Sequence, residues 1–256
     1  MSQMIGKATH LATSAVLFLA FALFAPGLGV PQAKALSLIP ISQDFKPSGK
    51  ESTQTFRLEN ETNEPVAVVV KVMTREVSAD GEETNAETKD FTVFPSQVLL
   101  NPRQSQMVRV QWRGPSAPRK ELAYRIIAEQ LPIKRSLEPN THAIQIVMRY
   151  VGSVYVVPSG VRPDIAIASA RGVTDARNRR MLELMFRNNG RSHGLLDELE
   201  LTVAAGGSSQ TLKGDQLKDM LGENILAESE RQFLLPWPQG LPFTQPTVEF
   251  KYTPLR

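Results

Sequence analysis

The chain has 256 residues, with 29 basic and 26 acidic side chains and no cysteine. The missing cysteines exclude a disulfide framework, thiolate metal sites and cysteine nucleophiles. The near balance of charge argues against a nucleic-acid partner, whose phosphates call for a concentrated basic surface.

The N-terminus reads as a removable address. Lys7 precedes an uncharged apolar run over residues 11–24, and Ala33-Lys34-Ala35 is a small-x-small cleavage pattern. That run falls short of the ~20 residues a spanning helix needs, so residues 1–35 are expected to be a signal peptide, not an anchor. Removing them takes away Lys7 and Lys34 and no acid, leaving 27 basic against 26 acidic residues. The expected product is an exported, soluble protein of about 220 residues, enough for one large or two ordinary domains.

Residues 36–45 alternate and contain Pro40, which predicts an edge strand because proline cannot donate to a ladder. Residues 52–59 and the β-branched 66–77 follow as strands, separated by a polar loop ending at Pro65. Ala79-Asp80-Gly81-Glu82 signals a turn, and the acidic stretch to Asp90 a mobile loop. Residues 91–100 predict a strand carrying Pro95, and 105–113 and 121–131 predict two more.

Residues 143–158 form the longest β-branched and aromatic segment, without proline until its end. At about 3.3 Å per residue it would run roughly 50 Å. Ile144, Ile146, Met148 and Tyr150 share one face and Gln145, Val147, Arg149 and Val151 the other. Two readings fit: a central strand buried on both sides, or a strand that offers its edge and one apolar face to another polypeptide. Seven strands at roughly eight-to-twelve-residue spacing suggest an antiparallel immunoglobulin-like sandwich, with a lipocalin-like barrel as second choice.

Pro158 to Pro163 reads as a short stiff linker, and a second set of strands follows. Asn188-Asn189-Gly190 predicts a hairpin turn. Leu217, Met220 and Leu221 stand at helical spacing, consistent with a short helix, and residues 230–235 and 247–252 close the second domain. The expected domains are 1–35 (signal peptide), 36–158, a linker at 159–163, and a C-terminal β-sandwich at 164–256.

Several motifs resemble the periplasmic pilus-assembly chaperones: Phe56-Arg57-Leu58-Glu59-Asn60, Phe94-Pro95, Leu99-Leu100-Asn101-Pro102 and Met107-Val108-Arg109-Val110. They continue with Tyr124-Arg125-Ile126-Ile127-Ala128-Glu129-Gln130-Leu131-Pro132, Ile144-Gln145-Ile146 and Tyr155-Val156-Val157-Pro158. Their order and spacing carry the likeness over essentially all of residues 36–256. The resemblance implies an all-β fold of two immunoglobulin-like sandwiches in a boomerang arrangement, located in the periplasm. It implies donor-strand complementation of fimbrial subunits, with Ile144, Ile146, Met148 and Tyr150 as the lent side chains, and delivery to an outer-membrane usher. The alternative is an exported two-domain structural or adhesive surface module. The sticky edge of the long strand also offers a route to self-association.

Two departures stand out. The family's cationic pair for the subunit's C-terminal carboxylate falls on Asp44 (or Gln43) and Ser153, so the anchor would come from Arg149, Arg125 or Arg109, each also readable as a solvated strand arginine. The family's arginine before the strand-ending proline is Val157, and the glutamate it would face is read as Glu129. Arg113-Gly114-Pro115 and Arg149-Tyr150-Val151-Gly152-Ser153 look more like the archaic branch of the family.

No catalytic chemistry is expected. His142 and His193 lack ligand spacing, and there is no nucleophile elbow, zinc-protease helix or phosphate loop. Gly206-Gly207-Ser208-Ser209 reads as a loop, the basic cluster over 171–191 as a solvated face, and Trp112 and Trp237 as core or interdomain packing. The expectation is a protein that is not an enzyme, with no cofactor and no metal.

Overall fold

The computed structural model describes residues 36–132 and 147–254. The proposed signal peptide, His142, Ile144 and Ile146 lie outside these residues.

Strict alternation builds the first sandwich. In β3 (Thr53–Asn60) the buried positions are Phe56, Leu58 and Asn60; in β4 (Val66–Thr74) they are Val66, Val68, Val70 and Val72. In β9 (Ser105–Trp112) Val108, Val110 and Trp112 turn inward. Each strand therefore offers one apolar face, and two sheets close over those faces. One sheet runs β1 (Leu36–Ile39), β3, β9, β7 (Phe91–Phe94). The other runs β2 (Ser42–Phe45), β11 (Arg149–Val156), β10 (Leu122–Leu131), β4, β8 (Gln97–Leu100). Edge-to-face aromatics fill one end of the core, with Phe91 centred 5.0–5.4 Å from Phe45, Trp112 and Tyr124. Trp112 is thus core, as one of its two expected roles.

Two segments expected as single strands are each divided by a proline. Residues 36–45 split at Pro40: β1 pairs antiparallel with β3, whereas β2 crosses over and pairs parallel with β11. Residues 91–100 split at Pro95: β7 pairs with β9 and β8 with β4, in opposite sheets. Both X–Pro bonds are cis. A proline has no N–H for the ladder, so the strand stops there and the chain is free to change sheets. The acidic stretch after β4 is also built differently from a mobile loop. β5 (Glu76–Val77) and β6 (Glu83–Thr84) pair in a small hairpin, and Met73 bridges to Glu87.

The second sandwich has one sheet of β12 (Ile165–Thr174), β13 (Arg180–Asn188) and β17 (Glu230–Pro236). In the other, β14 (Gly194–Ala205) lies beside β18 (Thr247–Pro254), β15 (Ser208–Lys213) and the short β16 (Asn224–Ile225). A bulge between Asp197 and Glu200 resets the alternation of β14, so that Leu196 and Leu199, three apart, are both buried. They meet Leu182, Leu184 and Phe186 of β13 and Phe233 and Leu235 of β17 in one apolar cluster. Gly206 and Gly207 both have positive φ (56° and 83°) and join β14 to β15 by the two-residue turn that only such backbones allow. The helical spacing around Leu217 becomes a single 3₁₀ turn, Gly214–Leu217, with Leu217 and Met220 buried.

Asn188-Asn189-Gly190 is not a hairpin, because β13 and β14 belong to different sheets. Its work is done by the Asn188 side chain. Its amide donates to the carbonyls of Ser192, Ile225 and Leu226 and accepts from the backbone N–H groups of Asp164 and Gly190. Among the described residues, no sheet mixes strands up to Val156 with strands from Ile165 onward.

Candidate polypeptide-binding edge

β11 is hydrogen-bonded to β10 along its whole length, from Glu129↔Arg149 to Leu122↔Val156. On its other side it is only half covered. β2 pairs with Ser153 to Val156, beginning where the Ser153 N–H donates to the Ile41 carbonyl at 2.8 Å. Beside Arg149, Tyr150, Val151 and Gly152 no strand stands on that side among the described residues. Gln130 N–H donates to the Met148 carbonyl, which fixes the alternation of the β10–β11 ladder. Even-numbered residues of β11 exchange hydrogen bonds with β10, so the backbone groups of Val147, Arg149 and Val151 point outward along the open edge.

Gly152 is where the cover begins. A Cβ there would lie 2.7 Å from the Ile41 carbonyl oxygen and 2.9 Å from an Ile126 methyl. Only glycine lets β2 approach that closely.

The side chains follow the expected faces. Met148 and Tyr150 share the face of Val154 and Val156, which are buried in the core. Tyr150 packs against the edge of that core, while Met148 is 38% exposed. This apolar row thus runs from the buried core out to the exposed Met148. Val147 and Val151, on the other face, are also exposed.

The three candidate arginines stand in different places. Arg125, on β10, lies opposite Ser153 and donates to its hydroxyl at 2.6 Å. It also holds the Glu83 carboxylate of β6, which Arg75 grips from the other side at 2.9 Å. Burial alone would raise the Glu83 carboxyl, but the Arg125 hydrogen bond and the charges of Arg75 and Arg125 bring it down to about 2. Arg149 is exposed on the open half of β11, across from Glu129. Arg109 is on β9, between Thr55 and Phe94 in the opposite sheet, away from the edge. Arg75 was missed from sequence. It continues the outward alternation of Lys71 and Met73, which was the available signal.

The glutamate near Val157 also needs correction. Glu129 lies at the far end of β10, facing Arg149; continuing the register past Leu122↔Val156 brings Glu121 opposite Val157. Glu121 has only 2% of its side chain exposed and meets the second sandwich. Its Oε1 accepts from the His193 N–H at 3.1 Å and sits 2.7 Å from His193 Nδ1, and its own N–H donates to the Arg191 carbonyl. The His193 ring stacks on Tyr155 at 4.1 Å. The Tyr155 hydroxyl accepts from Arg75 and from Asn224. Nearby Arg119 and Lys120 pair with Glu228, and Gln232 N–H donates to the Ala79 carbonyl of the β5–β6 hairpin. Asp44 lies opposite Tyr155 on β2.

Residues 46–162 match the family described as pili and flagellar-assembly chaperone, PapD N-terminal domain. Comparison with curated protein sequences finds no match. Among solved structures, the class 5 fimbriae chaperone CfaA superposes with a TM-score of 0.53 at 17% identity, covering 85% of this chain and 99% of that one. The CsuC–CsuE chaperone–tip subunit complex from the archaic chaperone-usher Csu pili of Acinetobacter baumannii gives 0.57 at 16% identity, over 84% and 97%. The YadV chaperone gives 0.53 at 13% identity, over 86% and 93%. At these identities the likeness concerns the fold: two immunoglobulin-like sandwiches.

Proposed function

We propose that this chain, whose residues 46–162 match the PapD N-terminal chaperone domain and whose fold is that of the two-sandwich fimbrial chaperones, acts as a pilus-assembly chaperone that binds an exported fimbrial subunit by donating the open edge of β11. The subunit would be stabilised in the periplasm by donor-strand complementation and then passed to an outer-membrane usher. The observation that carries this reading is the half-covered strand: β2 covers it only from Ser153 onward and leaves Arg149 to Val151 without a neighbour on that side, beside exposed Val147 and Met148. Backbone bonds along such an edge tolerate many sequences, and alternate side chains set the fit. Met148 and Tyr150, with Ile144 and Ile146 beyond them, are the side chains proposed to fill the subunit's cleft. Each large aliphatic group buried there contributes roughly 1.5–3 kcal/mol. A subunit with a free edge and an open cleft would otherwise aggregate.

For the subunit's terminal carboxylate, Arg125 is the best placed of the three candidates. It reaches the hydroxyl of Ser153 on the donor strand itself, whereas Arg109 faces away from the other sheet. Glu83 already holds Arg125, so an arriving carboxylate would share or take over that partner. In the free protein the same edge gives a second copy a place to pair.

The test is co-expression with small exported proteins encoded nearby, comparing wild type with Ile144→Asp/Ile146→Asp. Recovery of a subunit with wild type alone, with the variant folded, is the expected result. Equal recovery with both, or none with either, would return the long strand to ordinary core and leave the surface-module reading.

A further inference from the structure

We infer that the joint between the two sandwiches is proton-sensitive, with His193 as its pin and the buried Glu121 carboxylate as its socket. This inference does not depend on strand donation.

Glu121 is almost wholly buried at the start of β10, and its contacts described above are all to the loop before β14, across the joint. A buried carboxylate is costly unless a donor or a positive charge meets it. Here the partner is an imidazole, the one side chain whose ordinary charge change falls between about pH 5 and 8. A neutral ring can give Glu121 one hydrogen bond; a protonated ring adds a charge pair in a confined setting where screening is weak.

The other groups around the ring support the same direction. Asp44, on β2, has its carboxyl raised by the packing around it, lowered by His193, raised again by Glu121 and lowered by Lys46. Two carboxylates thus stand near one imidazole. From β11 comes only the neutral face of Tyr155, whose hydroxyl is taken by Arg75 and Asn224. Lys120 is turned to Glu228, and Arg191 offers Glu121 its carbonyl. No described cation pairs with Glu121 besides the ring, so the charge of the ring decides whether the socket is neutralised. The joint is therefore tighter with the ring protonated than with it neutral.

The variant that isolates the charge is His193→Asn. Its amide nitrogen takes the place of Nδ1, keeping the hydrogen bond to Glu121 while removing the proton switch. Thermal unfolding of the free protein from pH 5 to 8 should show wild type losing about 2–4 °C relative to His193→Asn as the ring deprotonates. The Glu121 amide, which is bonded across the joint, should exchange its hydrogen faster over the same pH interval in wild type only. Parallel pH profiles for the two proteins would overturn the inference. If His193→Asn fails to fold, wild-type NMR decides alone: a ring titration with no concerted change at the Glu121 and Tyr155 amides would equally overturn it.

Discussion

The two sandwiches use one device in common and differ in how they treat their strands. In each, the second strand of the antiparallel sheet ends on a buried asparagine that stitches loops together. Asn60 closes β3 by donating to the carbonyls of Glu64, Leu100 and Asn101 and accepting from Thr62. Asn188 closes β13 with as many bonds, one of which reaches back to Asp164 near the linker. The edges are where they part. β14 is flanked on both sides, by β18 and by β15 with β16, whereas β11 is flanked fully only by β10. Both strands are rich in apolar residues, so hydrophobicity does not explain why one of them is left with an open edge. What distinguishes β11 is that its neighbour β2 is four residues long.

The sharpest way to test the shared device is to remove it. Asn188→Ala and Asn60→Ala should each cost about 3 kcal/mol or more, since several buried carbonyls lose their donors at once. Asn188→Ala should be the worse of the two because more of the bonds it removes are buried; urea unfolding measures both. A loss confined to one of them would show that the resemblance between the sandwiches is only geometric.

The next effect belongs to the first sandwich alone. Glu83 has its carboxyl lowered from 4.5 to about 2 between Arg75 and Arg125. Its contribution is therefore complete above the unfolded value near 4.5 and is lost as pH falls through about 2. After allowance for partial exposure this amounts to roughly 2 kcal/mol. Glu83→Gln should lower stability at pH 7 by that much and flatten the acid limb of the urea midpoint below pH 4.5.

Gly152→Ala acts on the cover itself. A methyl 2.7 Å from the Ile41 carbonyl pushes β2 away, at about 1–2 kcal/mol, and should speed hydrogen exchange at Ser153. An unchanged Ser153 amide would mean that β2 is held by more than this contact. The smallest effect on stability is expected for Met148→Asp. At 38% exposure on the open end, it should shift stability by less than about 0.5 kcal/mol while weakening capture of a subunit.

These contrasts also mark what could be read in the sequence. The alternation Val66-Val68-Val70-Val72 gave the inward face of β4 without any knowledge of its neighbours, because period two is local. The same logic gave Met148 and Tyr150 their common face. Periodicity names a face, however, and not a partner strand. The changes of sheet at Pro40 and Pro95 were therefore invisible as such, although each proline was noticed. The Asn188-Asn189-Gly190 signal was real chemistry assigned to the wrong motif, since a buried side-chain amide and a tight hairpin favour the same residues. Glu121 and His193 are 72 positions apart, and no local pattern links them. The misassignment to Glu129 came from the same blindness, for only the register of β10 against β11 shows which glutamate stands near Val157.

The short parallel partner of β11 has one last consequence. β2 fills the ladder from Ser153 onward, and its Ile41 carbonyl occupies the first bonding position after the open stretch. Any guest strand sliding along Arg149 to Gly152 runs into a wall of backbone. A slip of one residue would turn every guest side chain to the wrong face. Such a wall sets depth mechanically, as the end of a drawer runner does, and it does so before a single guest side chain has been read. Under the strand donation proposed above, guests with very different sequences would then be seated at the same depth, so long as their ends are alike.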